Sequence, residues 1–451
     1  MIAAGIWLET QHLSAQELLK PKLCPSTCNL MRHVHEYVNA DTVWFHFENG
    51  VVNVGEGELY AYSGDQIYGD TVIEAWQRIE IDSGGFFDTL VGQFIWHDEG
   101  GHNHFHFDEF VQYRLLELDD SSQVMSLTKS GFCLTDGGGL DTCLSCGDPI
   151  GDPPIPGVYT TNSCHLPWDS LFMGISVGYV DVYSFPLDGQ AMNVAEVPNG
   201  AYWLESTANA GGKLVEMNAT PDVALVKVSI ISTVDTYEDN DTKDKVDAMT
   251  AGIDNSAKLA ACQFPKTIDS LSIHQEYSAY DFLPDHDWFR FRLTETADST
   301  HFIKIIFDSD LGDLDLQLLD SSGEDTIYVS NADMGDSEFV DLDTLPAGVY
   351  YAHIYADTSL YDNPVVQYHT NWNYSLTIDA PANDLCGDVN DNDVVNAADI
   401  LHFNAKCSSN SFTCETLADV DSICGIDCTD DLNYLIAYVF QGGSDPYCTC
   451  E

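Results

Sequence analysis

"GQFIWHDEGGHNHFHF", residues 92–107, decides the reading of the fold. Apolar and aromatic residues run or alternate between Gly, Asn and Asp punctuation, which is the signature of strands and tight turns. "DTVWFHFENGVVNVG", residues 41–55, behaves the same way, and strand signals dominate as far as residue 380. Helical spacing is scarce over that span, so the chain reads as mainly β. Within the opening stretch His102, His104 and His106 stand at alternate positions, with Phe105 between the last two. One face of a strand would therefore carry three imidazoles.

Neutral imidazole ligates copper, zinc, iron or nickel, so residue type alone does not choose a metal. In a straight strand, alternate residues lie about 6.6 Å apart and the outer two histidines about 13 Å apart, close to the limit for one shared ion. The backbone must curl, and Gly100 and Gly101 permit a bend. The competing reading is a strand decorated with exposed histidines. His97 is a fourth candidate and reads as a structural neighbour.

The chain's 451 residues exceed what one core usually serves, so two to four domains are expected. Seventy-three acidic residues face 16 Lys plus Arg, a formal net charge of −57, which argues against nucleic acid as a partner and favours cations and basic peptides. A solvated acidic surface suited to saline surroundings explains the same composition. The 14 cysteines cluster without zinc-finger spacing and read as disulfides of an oxidising compartment. No signal peptide is evident in "MIAAGIWLET", and no apolar run is long enough for a membrane span.

Three units follow a lead segment, residues 1–22. Residues 23–232 and 233–383 are strand-rich, and "GDLDLQLLDSSG" in the second has a hairpin pattern. In the third, 384–451, "AADILHFNAKC" and "TDDLNYLIAYVF" place apolar residues at helical spacing after acidic loops.

Two features bear on the histidines. Between residues 23 and 212 the sole lysine is Lys129, four residues before Cys133 in "LTKSGFCLTD". "GISVGYVDVY", residues 174–183, leads to Asp181 and Tyr183, on one face if the segment is extended. Together with the histidine triplet, these features make residues 24–230 resemble a lysyl oxidase. The landmarks, in that family's order, are "VVNVGEGELYAY" with "WQRIEIDSGG", "HNHFHFDEFVQYRLLELD", "TKSGFCLTD", and "GISVGYVDVYSFPLDGQ" running into "AEVPNGAYWLES". The resemblance implies a β-sandwich catalytic domain in which His102, His104 and His106 bind copper. It implies that Lys129 cross-links to the oxidised Tyr183 as lysine tyrosylquinone and that Asp181 is the base. A primary amine, in a lysine-containing protein or peptide or in a small molecule, would be oxidised by dioxygen to an aldehyde, with peroxide and ammonia released. Covalent catalysis of this kind pairs a carbonyl cofactor with a positioned proton acceptor.

The departures are specific. The family's disulfide flanking the tyrosine falls on Tyr179 and Gly189, so both partners are missing together. Gly101 replaces the cysteine that often precedes the first copper histidine, which leaves the pairing of Cys143, Cys146 and Cys164 open. A Gly- and Pro-rich insertion lengthens the connection from Lys129 to Tyr183, at a closure cost of only about 0.6 kcal/mol per doubling.

The middle block, 235–379, carries "DTYEDNDT", "HDWFRFRL", "GDLDLQLLDSSG" and "LDTLPAGVYYAHIYA", and looks like a bacterial pre-peptidase C-terminal (PPC) domain. That implies a second β-sandwich, stabilised by calcium and appended to a secreted enzyme. Glu238, Asn240, Asp241 and Asp287 offer the oxygens calcium prefers. In the last unit "DVNDNDVVNAAD" places Asp388, Asn390, Asn392, Asn396 and Asp399 at calcium-loop positions, with the Val394 carbonyl. A weaker copy 31 residues later offers Asp419, Asp421, Asp427 and Asp430. Two loop-helix copies resemble a dockerin, a small helical calcium-loop domain, and imply a cohesin-like or cell-surface partner.

The leading expectation is a secreted copper amine oxidase, extracellular or at the cell surface. A non-catalytic extracellular metal-binding scaffold, anchored through its tail, is the alternative from another class. A zinc hydrolase using the three histidines lacks the helical H-E-x-x-H frame.

Overall fold

The computed structural model describes residues 17–64, 71–98, 103–128, 131–137, 158–160, 164–165, 171–184, 187, 189–249, 255–278, 281–331, 335–356, 370–381, 387–389, 394–409, 418, 426, 428–444 and 446. Strands dominate up to Asp379, and helices Ala397–Ser409 and Asp430–Gln441 stand in the tail. The mainly β reading holds, with the helical unit where the sequence puts it.

The first unit is built on a sheet ordered Phe172–Ile175, Leu59–Ser63, Val72–Ile81, Phe86–His97, His104–Phe107. The opening stretch thus becomes two antiparallel strands, with His97 opposite His104 and Ile95 opposite His106. Alternation sorts the faces: Ile73, Ala75, Gln77 and Ile79 turn into the core, whereas Glu74, Trp76, Arg78 and Glu80 line the other side. A second sheet, ordered Gln123–Thr128, Val111–Glu117, Gly200–Ala208, Val223–Ile230, contributes Tyr113, Leu115, Leu204, Val226 and Val228 to the same buried core. Val180–Tyr183 pairs with Asn49–Asn53, which pairs in turn with Leu23–Pro25.

The second unit is a sandwich of two four-stranded sheets. One is ordered Lys266–Ile273, Asn371–Asp379, Phe302–Ile306, Ser337–Asp341; the other is His286–Leu293, Gly348–Ala356, Leu314–Leu319, Thr326–Ser330. The expected hairpin in "GDLDLQLLDSSG" joins the last two of these. His286–Leu293 alternates strictly, so Phe289, Phe291 and Leu293 fill the core, and Asp287 falls in the same inward row.

Two expected boundaries differ from what is seen. Leu18 and Leu19, placed in the lead segment, pair with Ile81 and Glu80 and extend the main sheet. Gln275–Ser278 of the second unit pairs in parallel with His33–Asn39 of the first, so one sheet crosses the division at 232/233. Composition marks cores, whereas backbone pairing ignores them, and a shared sheet leaves no mark in composition. His33 Nε2 meets Thr370 Oγ1 at 2.8 Å, Ser229 Oγ donates to the Thr370 carbonyl at 2.9 Å, and Tyr37 packs edge-on against His274 at 5.2 Å.

The tail packs helices Ala397–Ser409 and Asp430–Gln441 around Val389, Phe403, Ala418 and Leu435, and a disulfide joins Cys407 to Cys428. Oxidised cysteines, read from clustering alone, appear here and as Cys133–Cys164, and none of the described cysteines is free.

Candidate functional site

His104 and His106 project from the same side of their short strand, and their Nε2 atoms lie 2.8 Å apart. In a neutral pair one nitrogen donates to the other; with both lone pairs exposed they would face a common cation. His97 stacks on His106 with ring centroids 4.5 Å apart, and its Nε2 is buried without a hydrogen-bond partner. His165, which no motif or spacing singles out, stands 4.6 Å from the His104 ring, and its Nδ1 meets the Asn103 carbonyl at 3.0 Å. A ring nitrogen bonded to a backbone carbonyl leaves the other available as a ligand. The disulfide to Cys133 holds Cys164, and His165 follows it. His102 and Lys129 lie outside the described residues.

Tyr183 is almost fully buried, and its phenol donates to the Cys133 carbonyl at 2.9 Å. Its ring meets Phe132 edge-on at 4.2 Å. Phe132 exchanges backbone hydrogen bonds with Phe107, the residue after His106. Beside them, a Cβ on Gly131 would stand 2.4 Å from the Cβ of His106, so only glycine lets the backbone come this close. The segment following Lys129 is thereby brought against both the imidazole strand and the phenol.

Asp181 and Tyr183 do share a face. Both are buried, while Val180 and Val182 pack on the other side with Val52 and Cys24. Asp181 Oδ1 accepts from Thr135 Oγ1 at 3.1 Å. Burial, and then the charge of Asp181, push the Tyr183 phenol well above its ordinary range, so it is neutral at physiological pH.

A second constellation lies in the sandwich. The ligand atoms of Glu238, His274 and Asp285 converge within 4.8 Å, as do those of Asp235, Glu238 and Asp287. Glu238 Oε1, Asn240 Oδ1, Asp285 Oδ1 and Asp287 Oδ1 are buried without hydrogen-bond partners. Four orphaned oxygens around clustered carboxylates are costly unless a cation joins them, and hard oxygen donors suit calcium. Burial, followed by the charges of Asp285 and Asp235, pushes Glu238 up to about 8, and burial raises Asp287 well above the carboxylate range. Of the four residues read from sequence, Glu238 and Asp287 meet here, and Asn240 bonds to Trp288, the residue after Asp287. Asp241 instead pairs with Lys245, which also holds Asp239. Asp235, His274 and Asp285 were missed, although Asp285 directly precedes the quoted "HDWFRFRL". Among the described residues these two acidic groupings are where three such ligand atoms converge; the imidazoles supply a pair.

In the tail, Asp388 and Asp399 are fully buried, and Asp399 Oδ2 accepts from the Asn396 backbone at 2.8 Å. The exposed Val394 offers a carbonyl that meets Asn396 Nδ2 at 2.9 Å. Asn390, Asn392, Asp419, Asp421 and Asp427 lie outside the described residues. Where the second loop enters its helix Asp430 is exposed, and the neighbouring Asp431, not singled out by spacing, is the buried carboxylate.

Comparison with known proteins agrees with two of the three resemblances. Residues 87–237 match the lysyl oxidase family model, and residues 285–356 match that of the bacterial pre-peptidase C-terminal domain. No curated protein matches the chain. Among solved structures, the pre-peptidase C-terminal domain of a Bacillus anthracis collagenase is 14% identical, with a TM-score of 0.18, over 25% of this chain and 88% of that one. The M60 catalytic domain with two CBM51 domains of Clostridium perfringens ZmpB is 10% identical, with a TM-score of 0.17, over 72% of this chain and 31% of that one. The chain thus carries a lysyl oxidase domain and a PPC domain, both typical of extracellular proteins. No helix among the described residues is long and apolar enough to cross a membrane.

Proposed function

We propose that this chain is a copper-dependent amine oxidase of the lysyl oxidase type, secreted or held at the cell surface. It would convert peptidyl lysine or another primary amine to an aldehyde, with release of peroxide and ammonia. The observation that carries the reading is the convergence of the His104–His106 pair, the segment around Gly131 and Phe132, and the buried Tyr183 phenol. A merely decorated strand has no reason to bring a buried phenol and an imidazole pair to one short segment.

The imidazoles of His104 and His106, joined by His102, fit copper by donor chemistry, with His97 and His165 beside them. Copper bound there would supply the one-electron oxidation that a phenol needs to become a quinone precursor. The remaining roles belong to the chain. Tyr183 is held rigidly by the Cys133 carbonyl and the Phe132 ring, and burial keeps its proton on oxygen until oxidation begins. Lys129 is the amine that would add to the oxidised ring. Asp181, kept in place by Thr135, is the carboxylate available to take the proton from the substrate carbon next to nitrogen. Its burial beside an apolar core keeps competing water away from it.

The sandwich would take calcium at Glu238, Asn240, Asp285 and Asp287 as a structural ion. The tail would bind calcium through Asp388, Asn390, Asn392, Val394, Asn396 and Asp399, and less tightly through Asp419, Asp421, Asp427 and Asp430, and would dock on a cohesin-like or cell-surface partner.

The deciding experiment is peroxide release from a lysine-containing peptide by the copper-loaded chain, alongside Tyr183→Phe. The variant should lose all turnover and the quinone absorbance while still binding copper. Equal rates in the two proteins remove the quinone mechanism, and an unmodified Lys129 peptide in the mass spectrum of active protein removes the cross-link.

A further inference from the structure

A cavity of about 400 Å³ opens on the first unit, lined by Tyr60, Tyr159 and Phe172 with Glu58, Glu80 and Arg78 among the charged groups. The three rings sit at mutual centroid distances of 6.1, 6.1 and 6.3 Å. Tyr159 is fixed from two sides. Its backbone N–H donates to Asp136 Oδ2 at 3.0 Å, and its phenol donates to Glu58 Oε2 at 2.8 Å.

Charge decides what fits. Arg78 lies over the Tyr62 and Phe86 rings at 4.9 and 5.1 Å, and Asp88 holds it with two hydrogen bonds of 2.8 and 2.9 Å. Asp88 therefore matches the guanidinium, and the neighbouring rings already accept a cation on their faces. Among the described residues no lysine or arginine pairs with Glu58 or Glu80. Two unmatched carboxylates beside three rings favour a compact organic cation, which gains from both the ring faces and the negative charge.

Position links the cavity to the imidazoles. Val72, Glu74, Trp76, Arg78 and Glu80 share one face of their strand; Val72 stands opposite Ile95, and Ile95 opposite His106. Tyr60 lies on the strand beyond Arg78, so six residues along and three strands across place its ring about 25 Å from the imidazoles on the same face. Trp76 and the exposed Leu90, paired across the strands, form an apolar floor between them. An extended polypeptide covers that span in about seven to eight residues.

We propose that this cavity binds the ammonium of a second lysine in an extended polypeptide substrate, about seven residues from the lysine presented to the imidazoles. The spacing rests on the oxidase reading, whereas the affinity of the pocket for an alkylammonium does not.

The test is calorimetric titration of the copper-free full chain with a neutral Gly/Ser/Ala peptide carrying two lysines seven positions apart. The control is the same peptide with its distal lysine replaced by norleucine. The dilysine peptide should bind about fivefold tighter or more, as expected of one cation–π contact with carboxylate support. The double variant Glu58→Gln/Glu80→Gln changes two exposed side chains and should erase that difference, as should Tyr60→Leu with an unchanged far-UV spectrum. Equal binding of the two peptides, or a preference that persists in the double variant, overturns the proposal. Peroxide release from copper-loaded protein is read separately. Its absence with every amine would remove the oxidase reading, while the titration would still decide the pocket.

Discussion

Without a cation, the buried carboxylates of the sandwich should make it less stable as pH rises, and calcium should abolish that loss. Glu238 shows the size of the effect, since its carboxyl is raised from 4.5 to about 8 by burial and by the charges of Asp285 and Asp235. The folded chain holds this proton more tightly than the unfolded chain. That advantage is complete below the unfolded value and is lost as pH climbs toward 8. A tenfold difference in proton affinity between the folded and unfolded chain is worth about 1.4 kcal/mol, so the loss between pH 5 and pH 8 amounts to a few kcal/mol from this group. For a domain of this size that is a fall in Tm on the order of 10 °C. The assay is scanning calorimetry of the full chain in chelator and in millimolar calcium, at both pH values, following the transition of the sandwich. Calcium needs the carboxylates ionised, so the calcium-bound Tm should be flat or rise over the same range. A transition that does not move with pH in chelator, together with no calcium effect at pH 8, would refute the reasoning.

Three further outcomes follow from the first unit. Gly131→Ala should weaken copper binding at least tenfold, measured by competition with a chelator, because its Cβ would stand 2.4 Å from the His106 Cβ and displace that ring. Replacing Cys133 and Cys164 together by serine opens a loop of separation 31 and should cost about 3.7 kcal/mol in denaturant titration. Asp181→Asn keeps an acceptor for Thr135 but removes the base, so kcat should fall by about 10²-fold or more with copper content unchanged. A kcat unchanged by that substitution would reassign the proton acceptor.

Much of the architecture was legible because it rests on local periodicity. Alternation in "HDWFRFRL" marks one buried face, and the helical spacing in "TDDLNYLIAYVF" becomes the helix Asp430–Gln441. The Asp181–Tyr183 pairing was legible for the same reason, as two residues apart in a strand must share a face. Clusters drawn from distant segments were not. Asp235, His274 and Asp285 are separated by loops and strands whose convergence no spacing rule encodes, and His165 meets His104 from a segment tied to Cys133 by the Cys133–Cys164 bond.

By itself the sequence determined the strand periodicity, the order of the units, the acidic charge and the alternate spacing of the histidines and of Asp181 and Tyr183, because each is a property of neighbouring residues. Tertiary structure alone decided that His104 and His106 meet, that Gly131 and Phe132 bring the phenol of Tyr183 toward them, and that a strand of the second unit completes a sheet of the first. It also decided that unmatched carboxylates face an aromatic cavity on the same sheet face as the imidazoles. Those arrangements arise from register and packing between segments up to hundreds of residues apart, where burial sets the cost of each unpaired charge.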